Sequence, residues 1–210
     1  MIRKLILCSA LALPLTSFAF TATNYTAHYV AKTAKADGTQ EKKFSCQGSS
    51  CIIENNMVVK AFFKTVTINT LDTGTINSDG NYVSSSLVVT DSREDAPTTV
   101  TLKEDEYSIL GFTYELSKEL ADNGKLVPMQ VYFNGQVSTF TPTLVSTDET
   151  FVTANGDVTT THIQVGTGSN NGTMDFHFDA ARQYLMVGNT VTNVDGDVEL
   201  STNLTSVEFS

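Results

Sequence analysis

The sequence predicts a mainly β protein, built as a single curved antiparallel sheet or a partly open barrel of about ten strands with one helix packed against it. Three observations support this fold class. Short segments alternate apolar and polar residues along most of the chain, which is typical of half-buried strands. Seven of the 13 glycines directly follow Asp or Asn, as they do in tight turns between strands. A single segment changes to the helical period.

The first half of the chain is predicted to form strands joined by tight turns. Asp37-Gly38 and Asp79-Gly80 are expected to be two of these turns, because glycine supplies the positive φ that they need. The predicted strands cover residues 21–34, 41–46, 51–54, 58–71, 75–77, 82–90 and 100–103.

One helix is predicted over residues 108–121. Asn123-Gly124 follows it and is a suitable stop signal. Gly111 weakens the first turn, so the helix is expected to begin nearer Phe112. Its apolar residues recur every three to four positions and form one stripe: Ile109, Phe112, Leu116 and Leu120.

Strands resume after the helix and end in a three-strand meander. Met174, Phe176 and Phe178 alternate with polar residues, so one face of this strand is apolar and the other is wet. Asp195-Gly196 lies between two further alternating runs, which is a strong hairpin signal. The strands predicted before the meander cover residues 126–133, 137–145, 149–153 and 158–165, with turns at Asn134-Gly135 and Asn155-Gly156.

The N-terminal segment has the features of a secretory signal peptide. Arg3 and Lys4 precede an apolar run at residues 5–15, and Ser17-Phe18-Ala19 has small residues where signal peptidase cuts. The apolar run is too short to span a bilayer, which takes roughly 20 helical residues. We therefore expect cleavage after Ala19, a single exported β-rich domain at residues 20–210, a periplasmic location and no transmembrane segment.

The charge distribution excludes one class of partner. The expected mature chain carries 11 basic and 23 acidic side chains, and binding nucleic acid needs a basic surface instead. Residues 20–64 nevertheless contain six Lys and only three acids. This local excess is either ordinary surface variation or a positive edge that faces anionic lipid or a partner.

Cys46 and Cys51 remain after the expected cleavage, in the segment F-S-C-Q-G-S-S-C-I-I. An even number of cysteines in an exported chain, with a Gly-Ser turn between them, predicts a disulfide that closes a hairpin. A redox motif would have the spacing C-x-x-C, and a zinc site would need two further ligands nearby.

Three segments of the second half resemble the exported bacterial family called domain of unknown function 3108. They are D-E-Y-S-I-L-G-F-T-Y-E-L, D-E-T-F-V-T-A-N-G-D-V-T-T-T-H-I and M-D-F-H-F-D-A-A-R-Q-Y-L-M-V. The chain differs from the family pattern at Met186, where relatives typically have proline, and it has no tryptophan. The resemblance implies a periplasmic β-rich domain and no assigned activity.

Two sets of candidate site residues follow from the pattern, and no cofactor is predicted. Asp175, His177 and Asp179 share one strand face and are weak metal candidates, since collinear side chains converge on one ion only if a neighbouring strand contributes. Otherwise they form a solvated face with His177 exposed. The apolar residues that could line a ligand cavity, or simply fill the core, are Tyr29, Phe62, Phe112, Leu116, Phe176 and Phe178.

The sequence lacks the signatures of an enzyme: it has no G-x-S-x-G elbow, no H-E-x-x-H motif and no glycine loop that opens a helix. The leading hypothesis is a non-enzymatic periplasmic domain that binds an apolar or amphipathic cell-envelope molecule. The alternative is a structural or protein-interaction component of the envelope with a filled core. A third hypothesis is a metal-dependent enzyme that uses the candidates on the strand at 173–179.

Overall fold

The computed structural model describes residues 23–61, 63–122, 124–166 and 172–210. The predicted signal peptide at residues 1–19 and the cavity candidate Phe62 lie outside these residues. The strands are β1 Tyr25–Thr33, β2 Asp37–Gln47, β3 Ser50–Ala61, β4 Lys64–Ile76, β5 Tyr82–Asp91, β6 Thr98–Thr101, β7 Glu106–Ser108, β8 Met129–Phe133, β9 Gln136–Thr153, β10 Gly156–Gly166, β11 Thr173–Asp179, β12 Leu185–Thr192 and β13 Val198–Phe209. The helix α1 is Ile109–Ala121, and a 3₁₀ turn, η1, is Ala180–Arg182.

The described strands form one open sheet in the order β6-β5-β4-β3-β2-β1-β13-β12-β11-β10-β9-β8-β7. Neighbouring strands are antiparallel except β7 and β8, which are parallel. Because β1 pairs with β13, the first and last described strands are neighbours in the middle of the sheet. Strands from both sides of that seam, including β5 and β12, pack on α1, so the sheet curves around the helix. The predicted fold class is confirmed.

Within the described residues the sheet has 13 strands, where about ten were predicted. The predicted strand at 58–71 is two strands, because β3 ends at Ala61 and β4 begins at Lys64. No Gly, Asn, Asp or Pro marks this reversal in the sequence, so the turn signals could not reveal it. The predicted pieces at 137–145 and 149–153 belong to one long strand, β9.

Most of the predicted glycine turns are present. Asn134-Gly135 has positive φ at both residues (51° and 84°) and joins β8 to β9, while Gly196 has φ 86° between β12 and β13. The turn predicted at Asp37-Gly38 is wrong, since both residues lie in β2. Gly38 serves a different need: a Cβ there would lie 2.4 Å from the carbonyl oxygen of Val58 on the neighbouring strand.

The helix begins at Ile109, and the prediction of a start nearer Phe112 is wrong. Ser108 is the N-cap, and its Oγ accepts hydrogen bonds at 3.0 Å from the backbone N–H groups of Leu110 and Gly111. This cap satisfies two of the four free donors of the first turn and offsets the cost of the glycine. No helix in the described part of the chain is both long and apolar enough to cross a bilayer.

The buried apolar residues of the described part of the chain form two core clusters on the face of the sheet that packs against α1, which we call the inner face. The larger cluster lies mainly on β8–β13 and α1, where residues such as Val131, Phe140, Ile163 and Phe178 are fully buried. The smaller one contains Phe44, Cys51, Ile53, Tyr82, Leu110 and Tyr114. We call the inner face of β2–β5 the polar half and that of β8–β13 the apolar half.

Candidate functional site

The polar half contains a buried ammonium group. On β2, Gln40, Lys42 and Phe44 alternate with exposed residues and therefore point to the inner face. Lys42 is only 4% exposed, and none of the ion pairs among the described residues involves its Nζ. Burial lowers the pKa of Lys42 to about 8, although the negative charge of Asp72 acts in the opposite direction. Lys42 is thus a buried cation without a directly bonded anion.

A hydrogen-bond network connects the polar half to the N-terminus of the helix. Asp72 of β4 is fully buried and accepts hydrogen bonds from the hydroxyls of Tyr82 (3.0 Å), Ser84 (2.9 Å) and Ser108. Burial raises the pKa of Asp72, while the hydrogen bonds from these hydroxyls lower it. Because Ser108 also caps α1, the carboxylate links β4 and β5 to the helix N-terminus.

A second buried acid lies on the helix itself. Glu115 is 3% exposed, and its Oε1 accepts a hydrogen bond from the backbone N–H of Tyr82, the first residue of β5. Burial raises the pKa of Glu115 to about 7, and the hydrogen bond from Tyr82 partly opposes this shift. The helix therefore contributes a polar contact to the same half of the inner face.

A cavity of about 170 Å³ lies between α1 and the sheet. Its lining is largely apolar but includes Lys42 and Gln40, and the Oε1 of Gln40 is buried without a hydrogen-bond partner. A smaller cavity of about 40 Å³ also borders Lys42. The full lining of the larger cavity is Gln40, Lys42, Asn55, Met57, Ile109, Leu110, Thr113, Phe133, Met174, Phe176, Met186, Asn189, Val191 and Leu200.

Of the residues predicted to line a cavity, Phe176 does so. The others within the described residues pack in the core beside it and do not line it: Tyr29, Phe112, Leu116 and Phe178. Contacts between rings fill the space there, as between Phe112 and Phe140, whose centroids are 5.4 Å apart. The polar lining residues were missed because they alternate with charged residues and resemble a solvated strand in the sequence.

A cluster of acids and histidines lies on the opposite, outer face of β9–β11. The Nδ1 of His162 is 2.7 Å from Glu149 Oε2, and its Nε2 is 2.9 Å from Asp175 Oδ1. The ring of His177 stacks between those of His162 and Phe151, at centroid distances of 4.5 Å and 4.2 Å. The expectation of an exposed His177 is wrong: it is 6% exposed, because Phe151 covers it.

The three metal candidates on β11 are not brought together. Asp175 and His177 both adjoin His162, but Asp179 has a structural role at the end of the strand. Its carboxylate accepts a hydrogen bond from the N–H of Ala181, at the start of η1, and forms a 2.9 Å ion pair with Arg182. The residues that adjoin His177 instead come from the neighbouring strands, and they could not be identified without the register.

The predicted disulfide is present between Cys46 and Cys51. It joins the paired ends of β2 and β3, where Cys51 belongs to the smaller core cluster. It therefore closes the hairpin that carries Lys42.

No family model and no curated protein matches the sequence. Among solved structures, the fold is similar to that of a β-barrel-like protein of domain of unknown function DUF1849 from Brucella abortus, with a TM-score of 0.55 and 12% identity over 91% of this chain and 100% of that one. A chain in the complex structure of Pseudomonas aeruginosa MucA/MucB (TM-score 0.47, 9% identity, 92% of this chain) and a structure of MucB (0.41, 11%, 91%) were also matched. The chain spans about half the length of these last two, 54% and 55%.

Proposed function

We propose that the chain is an exported, non-enzymatic periplasmic domain that binds an amphipathic molecule with an anionic head group, such as a fatty acid. The observation that carries the proposal is the buried side chain of Lys42, which forms no ion pair among the described residues, in the lining of an otherwise largely apolar cavity. Burying a cation without a counterion costs free energy, and an incoming anion would offset that cost. The apolar lining would at the same time bury part of an acyl chain.

The size of the cavity limits what its interior can hold. An engineered apolar cavity of about 150 Å³ binds benzene, so about 170 Å³ accommodates a ring or one part of an acyl chain. The smaller cavity also borders Lys42, and its lining includes Arg182 and Gln183, which are exposed. We propose that the remainder of a longer chain leaves the fold along this second cavity.

The compartment is part of the same proposal. The signal-peptide pattern at residues 1–19 and the disulfide both favour an oxidising compartment outside the cytoplasm. The resemblance to the family of domain of unknown function 3108 supports the same location.

The proposal is tested by binding of palmitate, measured by isothermal titration calorimetry on delipidated mature protein. Lys42→Met removes the ammonium and keeps the shape of the side chain, and we expect it to weaken palmitate binding about tenfold or more, as for other hydrogen bonds to charged groups. Lys43→Met is the matched control, because Lys43 is exposed on the other face of the same strand. It should bind palmitate like the wild type.

Native mass spectrometry of protein purified from the periplasm provides the complementary test. A reproducible added mass that disappears on lipid extraction would support the proposal and identify the ligand. A clean mass of the mature chain, together with no palmitate binding by the wild type, would overturn it and favour a structural or protein-interaction role. Equal palmitate affinity in the wild type and Lys42→Met would exclude the head-group contact.

A further inference from the structure

We propose that Glu149, His162 and His177 form a binding site for a divalent transition-metal ion, with Zn²⁺ as the best fit, on the outer face of the sheet. Each residue offers one ligand atom, and these atoms all lie within 4.8 Å of one another. Two imidazoles and a carboxylate are a donor set that suits Zn²⁺ better than Mg²⁺ or Ca²⁺, which prefer oxygen ligands. The inference is independent of the cavity on the inner face.

Pairing of three adjacent strands places these groups side by side. His162 of β10 is directly opposite His177 of β11 in the antiparallel register. Glu149 of β9 lies opposite Thr160, two residues before His162, next to a register shift. The Cα atoms of the three ligands are therefore held by the backbone hydrogen bonds of the sheet, and only side-chain torsions need to change on binding.

His162 has the environment of a metal ligand. A metal-bound histidine almost always donates its second ring N–H to a carboxylate, a carbonyl or water, which fixes its tautomer. Here Nε2 is 2.9 Å from Asp175 Oδ1, and the same oxygen accepts a hydrogen bond from Gln164 Nε2 at 3.1 Å. The 2.7 Å contact with Glu149 Oε2 requires Nδ1–H to donate before a metal binds; the ion would displace this proton and bind Nδ1, while Nε2–H keeps its bond to Asp175.

His177 has its own partner for the second nitrogen. Its Nδ1 is 3.4 Å from the hydroxyl of Thr160, which already donates its hydrogen to the backbone carbonyl of Glu149 at 3.1 Å. The hydroxyl oxygen is thus the acceptor and Nδ1–H the donor, which leaves the lone pair of His177 Nε2 for the metal. Three protein ligands leave one position of a tetrahedral site for water.

Binding has one structural consequence. A metal ion lies in the plane of each imidazole that binds it, whereas the two rings are now stacked, with 23° between their planes. The His177 ring must therefore turn about its Cβ–Cγ bond out of the stack. The ring resonances of both histidines in an NMR spectrum should shift on adding Zn²⁺.

The test is calorimetric titration of Zn²⁺ into tag-free mature protein. We expect one ion per chain for the wild type and a loss of at least tenfold in affinity for His177→Phe, which keeps the stack on Phe151. Asp175→Ala, which removes the acceptor of His162 Nε2–H and leaves the three proposed ligands in place, should weaken binding 10- to 100-fold. His28→Phe is the matched control: this histidine is half exposed on β1, away from the cluster, and its loss should leave Zn²⁺ affinity unchanged.

Circular dichroism and thermal unfolding show whether each variant is folded, so that loss of Zn²⁺ binding can be distinguished from unfolding. Absence of Zn²⁺ binding by the wild type at 1 mM, or equal affinity in the wild type and His177→Phe, would overturn the proposal. Lys42→Met should bind Zn²⁺ like the wild type, which separates failure of this site from failure of the cavity.

Discussion

The two halves of the inner face are built on the same pleated sheet, yet they bury different chemistry. The apolar half fills its space with rings and branched side chains such as Phe140, Ile163 and Phe178. The polar half buries Lys42 and Asp72 at similarly low exposure. The helix separates the two halves and presents Phe112 to one and Glu115 to the other. One curved sheet can therefore bury a stabilising apolar core in one half and charged side chains in the other.

The two halves make opposite contributions to stability. Burying apolar surface stabilises the fold by roughly 25 cal/mol per Å². A buried charge destabilises it unless hydrogen bonds or a counterion compensate, and proteins commonly retain such groups where function needs them. In the polar half the carboxylate of Asp72 has three hydroxyl partners, whereas Lys42 takes part in none of the ion pairs among the described residues.

The largest effect is expected in the apolar half. Phe178→Ala removes a fully buried ring from β11 and leaves a cavity that the surrounding sheet cannot close, so the free energy of unfolding should fall by about 4 kcal/mol. Urea unfolding followed by circular dichroism measures this loss. Val152→Ala, at a position that is 65% exposed on β9, should change it by less than about 1 kcal/mol.

The second-largest effect is expected for a substitution in the polar half and tests whether that half also contributes to stability. Asp72→Ala leaves the hydroxyls of Tyr82, Ser84 and Ser108 without their shared acceptor, which should lower the free energy of unfolding by about 3 kcal/mol. Asp105→Ala, on the exposed loop before β7, is the control and should have little effect. If Asp72→Ala destabilised the protein more than Phe178→Ala, stability would be centred in the polar half and the comparison would be reversed.

Short sequence patterns predicted much of the architecture, because helix periodicity, turn residues and cysteine spacing each act over a few neighbouring residues. The helix has its own period, Asn134-Gly135 and Asp195-Gly196 supply the φ angles that their turns need, and the two cysteines are five residues apart. The hairpin between β3 and β4 could not be predicted because no turn residue marks it. The turn predicted at Asp37-Gly38 was wrong because this glycine lies within a strand, where it allows two strands to pack closely.

The candidate sites were harder to predict because they depend on strand register. Asp72 lies in T-L-D-T-G and Lys42 in Q-E-K-K-F, where alternation gives no sign that the charged residue is the buried one. Only the curvature of the sheet around α1 decides which face is buried. In the outer cluster, His177 was identified from its strand, but Glu149 and His162 became its neighbours only through the pairing of β9, β10 and β11.

The smallest effect, and the only one of opposite sign, is expected for Lys42→Met. At pH 7 the variant should be more stable than the wild type by about 1 to 2 kcal/mol, because methionine needs no counterion in the cavity and the lost attraction to Asp72 offsets only part of this gain. Lys43→Met, on the exposed face of β2, should leave stability nearly unchanged.

The pH dependence of this difference identifies its cause. The pKa of Lys42 is lowered from 10.5 to about 8 in the folded protein, so between these values the unfolded chain retains a proton that the folded chain has released. The stability of the wild type therefore rises with pH over this window, and the part of the burial cost due to charge is fully present only below pH 8. Urea titrations at pH 7, 8, 9 and 10 should show the advantage of Lys42→Met shrinking as pH rises. A constant advantage would mean that Lys42 titrates as an exposed lysine does, and the polar half would then hold no buried cation for a ligand to neutralise.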